Sequence, residues 1–252
     1  MGEHMFSDKF KARAMGLALA GAMLAVPGAA AAGVVVKSTG PSAGTYPVGT
    51  KVADASTITL RAGDKITVLV NGGTKVMQGP GTFRVGEGAT RTRARFARLT
   101  RQGASNRART GAVRGGKAGS TAMPNLWLVN VAASGTTCLY DLENVRLWRP
   151  GATDGQTYTI TQPDSDMTLD VNFVEKESMR TLDPEGFKLA DGSTYTITGP
   201  ATEEAEAASV DVKIVALTET YRQPDALAAA LADNGCFGQL AALGDIAEAE
   251  AS

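Results

Sequence analysis

The chain has 252 residues, 25 Lys and Arg against 26 Asp and Glu, 29 glycines and only 6% aromatic residues. That length allows one or two domains with a real core, and the glycine-rich, aromatic-poor balance suits turn-rich β structure. Its single histidine, His4, lies in a stretch with the marks of a cleaved leader. A Ser-His-Asp or Cys-His relay and a histidine-ligated zinc site are therefore excluded from the mature chain.

Residues 1–32 read as a secretory signal peptide. Lys9, Lys11 and Arg13 form a basic start, Ala14 to Val26 an apolar core, and Pro27 to Gly33 a small-residue cleavage region. The apolar run is well short of the ~20 residues a membrane-spanning helix needs, and no cysteine follows it for a lipid anchor. Cleavage after Ala30 to Ala32 leaves a mature chain that begins near Gly33 or Val34. No later stretch reads as a transmembrane helix, so the expected location is the periplasm or the exterior.

Residues 33–86 form a first β module. Alternation over Thr57 to Leu60 and Ile66 to Val70 predicts strands, with Ala62-Gly63-Asp64 as a turn. Residues 87–122 are a basic segment: from Arg84 to Lys117 there are ten basic residues and one acid, Glu87. Ala89 to Gln102 can form a short helix with Phe96 and Leu99 near one face, and Gly103 to Ser120 reads as a flexible linker. Arg91, Arg93, Arg95, Arg98 and Arg101 offer a surface for anionic lipid headgroups, lipopolysaccharide or an acidic protein. The competing reading is a solvated helix and linker. Counterion release would also suit nucleic acid, but an exported protein rarely meets it.

Residues 123–220 form a second β module that ends in a strand near Ser209 to Glu219. Residues 221–252 read as an acidic helical hairpin. Pro224 suits a first helical turn, Leu227 and Leu231 lie one turn apart, and Asn234-Gly235 is a helix stop. Phe237, Leu240, Leu243 and Ala247 then recur at helical spacing. From Asp183 onward there are thirteen acids against three bases, so near-neutrality hides a basic middle and an acidic end.

One ten-residue phrase occurs three times: NGGTKVMQGP from Asn71, DGQTYTITQP from Asp154 and DGSTYTITGP from Asp191. Asx-Gly is a strong hairpin signal, because tight hairpin turns need positive φ. Gly72, Gly155 and Gly192 are therefore the expected turn glycines, although the second copy, with its longer approach through Arg149 to Thr153, also allows a wider loop. Lys65 to Val70, Val145 to Trp148 and Phe187 to Leu189 are the expected partner strands, and Pro80, Pro163 and Pro200 end each copy. Tyr158 and Ile160, like Tyr195 and Ile197, alternate with threonines. The threonine face, Thr196 included, is either an ordinary solvated strand face or a surface for glycan or another ordered array.

Chemistry-bearing motifs are few. The sequence contains no GxSxG, Walker loop, dinucleotide fingerprint or HExxH, and it calls for no cofactor or metal. Asp164, Asp166 and Asp170 are spaced for calcium but lack the further ligands of an EF-type loop, which favours a solvated turn. Trp127 and Trp148 could stack on sugars, or sit in the core. Cys138 and Cys236 are the only cysteines, and an even count in an oxidising compartment favours a disulfide over two buried thiols.

The stretch STITLRAGDKITVLVNGGTKVMQGPGTFRV resembles the β-rich FecR-type domain of bacterial envelope proteins, which alternates short strands with Asx-Gly turns. The wider layout, with RTGAVRG at Arg109 to Gly115 and a C-terminal GC…QL, resembles uncharacterised exported proteobacterial proteins. The likeness implies a non-catalytic periplasmic β module for protein or envelope contacts. The FecR signalling role is not implied, since neither its membrane span nor its cytoplasmic segment is present. The expectation is a mainly β protein: two small antiparallel modules of hairpin repeats joined by a basic helix and linker, with a short C-terminal helical hairpin. Its expected role is binding or scaffolding of an envelope protein partner. The alternative is a polysaccharide-binding or polysaccharide-processing protein that uses Trp127, Trp148, Thr196, Asp164 and Asp166.

Overall fold

A computed structural model describes residues 33–70, 73–91, 123–162, 165, 167–182, 187–201 and 206–251. The fold is mainly β, with a helical pair at the C-terminal end. The N-terminal module contains β1 (Gly33–Thr39), β2 (Lys51–Val52), β3 (Thr57–Leu60), β4 (Lys65–Val70), β5 (Gly73–Gln78), β6 (Gly81–Arg84) and β7 (Thr90–Arg91). One sheet runs in the order β2-β1-β4-β5-β7, and β3 pairs with β6 as a separate ribbon. The stretch expected to open a helix thus begins as strand, where Thr90 and Arg91 pair with Thr74 and Gly73. The rest of that expected helix, and the linker, lie outside the described residues.

The near-continuous apolar runs of β1 and β4 have a physical cause: their sheet is covered on both faces. Val35, Ile66, Val68, Val70 and Met77 pack with Ile58, Leu60 and Val85 on the ribbon side. Val34, Val36 and Leu69 face the other way, into a core shared with the C-terminal helices. A register shift in β1 between Val35 and Lys37 adjusts the alternation there.

The second module is a two-layer sandwich. Its strands are β8 (Leu128–Asn130), β9 (Gly135–Leu139), β10 (Arg146–Trp148), β11 (Gln156–Thr161), β12 (Thr168–Phe173), β13 (Met179–Thr181), β14 (Thr194–Thr198) and β15 (Ser209–Ala216). A three-stranded sheet, β13-β10-β8, faces a five-stranded one, β12-β11-β14-β15-β9. Most pairings are antiparallel, but β8–β10 and β9–β15 are parallel. Between the layers lie Leu147, Val129, Tyr158, Ile160, Phe173, Tyr195, Ile197, Val212 and Ile214.

Helices α1 (Pro224–Asp233) and α2 (Phe237–Ala251) lie against both modules. Pro224 starts α1, and Gly235, at φ +72°, provides the left-handed corner between the helices. Leu227, Leu231, Leu240 and Leu243 pack with Val34, Val36 and Leu69 of the first module and with Leu126, Trp127 and Leu217 of the second. Phe237, expected on that face, is instead half exposed and lies over Gly49. Gly244 lets α2 approach β1, since a Cβ there would stand 2.8 Å from the Val36 carbonyl oxygen.

The repeated phrase has a different use from three hairpins. The first copy does follow β4: β4 and β5 pair in register, with Val70 opposite Gly73, so only Asn71 and Gly72 separate them. Those two residues lie outside the described set. The second copy is not a hairpin with Val145 to Trp148, because β10 belongs to the opposite layer and pairs with β8 and β13. The chain crosses between layers around the buried guanidinium of Arg149. It donates to the carbonyls of Glu177, Asp154 and Val174 and to Gln156 Oε1, and lies 5.2 Å from the Phe173 ring centroid. Gly155 accordingly lies outside the positive-φ region.

In the third copy, Phe187 and Leu189 are buried but form no strand. Gly192 has φ +78°, and its turn is joined to β15: Gly192 N–H donates to Ile214 O and Asp191 Oδ1 accepts from Ala216 N–H. The second and third copies pair with each other. Ile160 stands opposite Ile197, Thr159 opposite Thr198 and Thr161 opposite Thr196. Tyr-Thr-Ile-Thr run antiparallel against itself puts like beside like on both faces, which favours the pairing wherever one face is apolar and the other polar.

Candidate functional site

Two features stand out on this frame: a locked corner at Cys138 and an open, hydroxyl-lined sheet face. At the corner, Cys138 of β9 is bridged to Cys236 at the entry to α2. One turn further on, the buried Gln239 amide completes the lock. Its Nε2 donates to Cys138 O and Leu126 O, both at 2.7 Å, and its Oε1 accepts from Cys138 N–H at 2.6 Å. The side chain thus serves as a one-residue strand on the free edge of β9. The disulfide closes a sequence separation of 98 residues, worth about 4–5 kcal/mol by chain entropy. Trp127 and Tyr140 pack edge to face beside this corner, with centroids 4.3 Å apart. Burial pushes the Tyr140 hydroxyl above its ordinary range.

The far end of the helical layer is held by charge. Glu248 accepts from the Thr67 hydroxyl at 2.6 Å and from Lys37 and Lys65, both at 3.2 Å; Lys37 also reaches Asp245 at 2.7 Å. Burial pushes the Glu248 carboxyl up, but the Thr67 hydroxyl and the two ammonium groups outweigh it and hold the pKa below the usual value. The Asp245 hydrogen bond raises Lys37, against the opposing effect of burial.

The outer face of the five-stranded sheet carries two cross-strand rows. One runs Thr168, Thr161, Thr196, Asp211; the other runs Asp170, Thr159, Thr198, Ser209. The hydroxyls are already oriented: Thr159 donates to Asp170 Oδ1 at 2.7 Å, Thr196 donates to Asp211 Oδ1 at 2.8 Å, and Thr198 and Ser209 share a bond of 2.9 Å. This face presents carboxylate and hydroxyl oxygens in fixed positions, with the exposed Lys213 opposite Thr194 in the adjoining row, and suits polar groups that donate to those oxygens. Toward β9 it ends at Val215, which packs into the helical core.

The predicted residues divide sharply. Cys138 and Cys236 meet, and Thr196 lies in the centre of the open face. Trp127 and Trp148 are both buried, so neither offers a ring to a sugar. Asp170 turns to Thr159, while Asp164 and Asp166 lie outside the described residues. So do Arg93, Arg95, Arg98 and Arg101; Arg91 is in β7. Among the described residues, no group of three or more His, Cys, Asp or Glu side chains could hold a metal ion, and no helix is long and apolar enough to cross a membrane. Gln239 and Arg149 were not singled out by the sequence. Gln239 had a usable signal, a polar residue three positions after Cys236 and beside Leu240 on an apolar helix face. No family model matches the chain, and no curated protein or solved structure matches it.

Proposed function

We propose that the protein acts outside the cytoplasm as a non-catalytic binding or scaffolding component of the cell envelope, with a protein partner held on its threonine-lined face. The observation that carries this reading is the Cys138–Cys236 bridge. Such bonds persist in oxidising compartments, and this one fastens the helical layer to the sheet that bears the open face. In this reading the N-terminal module is FecR-like, the leader is cleaved, and the arginines from Arg91 to Arg101 contact anionic lipid or lipopolysaccharide.

A polysaccharide-binding role draws support from the ordered hydroxyl and carboxylate rows. It is the weaker reading, because both tryptophans that would stack on sugar are in the core. Crosslinking and pull-down from intact envelopes, run beside glycan retention, separates the two. An envelope protein that is captured by wild type and lost on Thr196→Lys supports the scaffold. Glycan retention that depends on Thr196, with no protein captured, overturns it.

A further inference from the structure

We infer that β12 is a pairing edge for a second copy of this chain, which joins two five-stranded sheets into one. Among the described residues β12 is the longest edge strand left open. At the opposite edge of its sheet, Gln239 occupies both backbone groups of Cys138. The edge strands β2 and β7 of the first module are two residues long, the ribbon strands β3 and β6 are four, and β8 and β13 are three. Natural edges are usually blunted by charged side chains, lysine above all, by proline or by a bulge. β12, Thr-Leu-Asp-Val-Asn-Phe, has no lysine, proline or bulge; its one charge, Asp170, is engaged by Thr159, and it pairs with β11 in unbroken register over six positions.

Backbone directions follow from the hairpin end. Gln162 N–H donates to Met167 O, and hydrogen-bonded pairs alternate along an antiparallel ladder. Leu169, Val171 and Phe173 therefore turn their backbone groups to β11. Thr168, Asp170 and Asn172 turn theirs outward, where no described residue meets them.

The occupant follows from the side chains. Only a register that keeps core residues opposite core residues is allowed. A two-fold axis at Asp170 would set two carboxylates face to face. An axis at Val171 sets Val171 opposite its copy, Leu169 opposite Phe173, and Asp170 opposite Asn172. The Asp170 Oδ1 atom accepts from Thr159, which leaves Oδ2 for the amide of Asn172 in the other copy. Asp170 and Asn172 are also the residues whose backbone groups point outward, so the pairing makes four backbone hydrogen bonds. Half-buried Leu169, at the margin of the core, gains a cover.

This contact is separate from the proposed envelope role, which holds for a monomer as well. A single strand-to-strand contact falls in the small class, below about 1,200 Å², so the dimer should dissociate on dilution. Light scattering on protein purified under oxidising conditions from the expressed full chain should show the mass rise toward twofold with concentration. Asn172→Pro removes an outward N–H without touching the β11 ladder, and should hold the mass at one chain with an unchanged circular dichroism spectrum. Val171→Cys places two thiols across a non-hydrogen-bonded pair and should yield an intermolecular disulfide faster than Thr194→Cys does on the outer face. A wild type of single-chain mass at every concentration overturns the inference. So does a folded Asn172→Pro dimer, or crosslinking of Val171→Cys no faster than the control.

Discussion

Gln239 offers the sharpest test of how the two β modules and the helices are held as one body. Its amide makes three hydrogen bonds in a buried site, to Cys138 N–H, Cys138 O and Leu126 O. Replacing Gln239 with methionine keeps the length of the side chain and removes all three. Each buried group left without a partner costs about 1–3 kcal/mol. With the usual non-additivity for groups in contact, the expected loss is about 3–5 kcal/mol. Gln239→Ala adds a cavity and should lose a further 1–2 kcal/mol or so. Both losses are large beside a typical stability of about 5–15 kcal/mol. Urea midpoints of the disulfide-intact variants, at unchanged m, measure the difference. The reasoning fails if Gln239→Met stays within about 1 kcal/mol of wild type, because the clasp would then be incidental to packing.

The three phrase copies make a contrasting pair of predictions. Gly192→Val forces a β-branched residue to φ +78° and should cost about 1–3 kcal/mol. Gly155→Val, where an added Cβ meets nothing closer than 3.5 Å, should stay within about 0.5 kcal/mol by the same urea midpoints. For Glu248, whose folded pKa lies below 4.5, the stabilisation is present above the unfolded value and is lost as pH falls through the folded one. Wild type should therefore exceed Glu248→Gln in thermal midpoint at neutral pH, and the gap should close below about pH 4.5. Lys37, raised above 10.5, has the opposite sense. Its contribution is full below that value and is lost as pH rises through the folded pKa, so Lys37→Met should converge with wild type only in strong base.

Strand positions were legible because alternation is local: Tyr158, Ile160, Tyr195 and Ile197 all point inward, as their spacing requires. Strand partners were not legible. Ile160 pairs with Ile197 across 37 positions, and nothing near either residue distinguishes that neighbour from Leu147 in the other layer. The Asp154-Gly155 signal misled because Arg149, buried and hydrogen-bonded to three carbonyls, determines the path of that loop. The runs in β1 and β4 did carry their message, burial on both faces, but they do not name the covering element. That element is the helical pair, whose attachment at Cys138 was readable from the pair of cysteines together with the expected oxidising compartment.

The most direct test of an exported, bridge-locked protein is non-reducing peptide mapping with N-terminal sequencing on chain recovered from fractionated cells. The account predicts recovery outside the cytoplasm, an N-terminus between Ala31 and Val34, and one linked peptide pair containing Cys138 and Cys236. A chain found in the cytoplasm with Met1 intact and both thiols free to alkylate would contradict it.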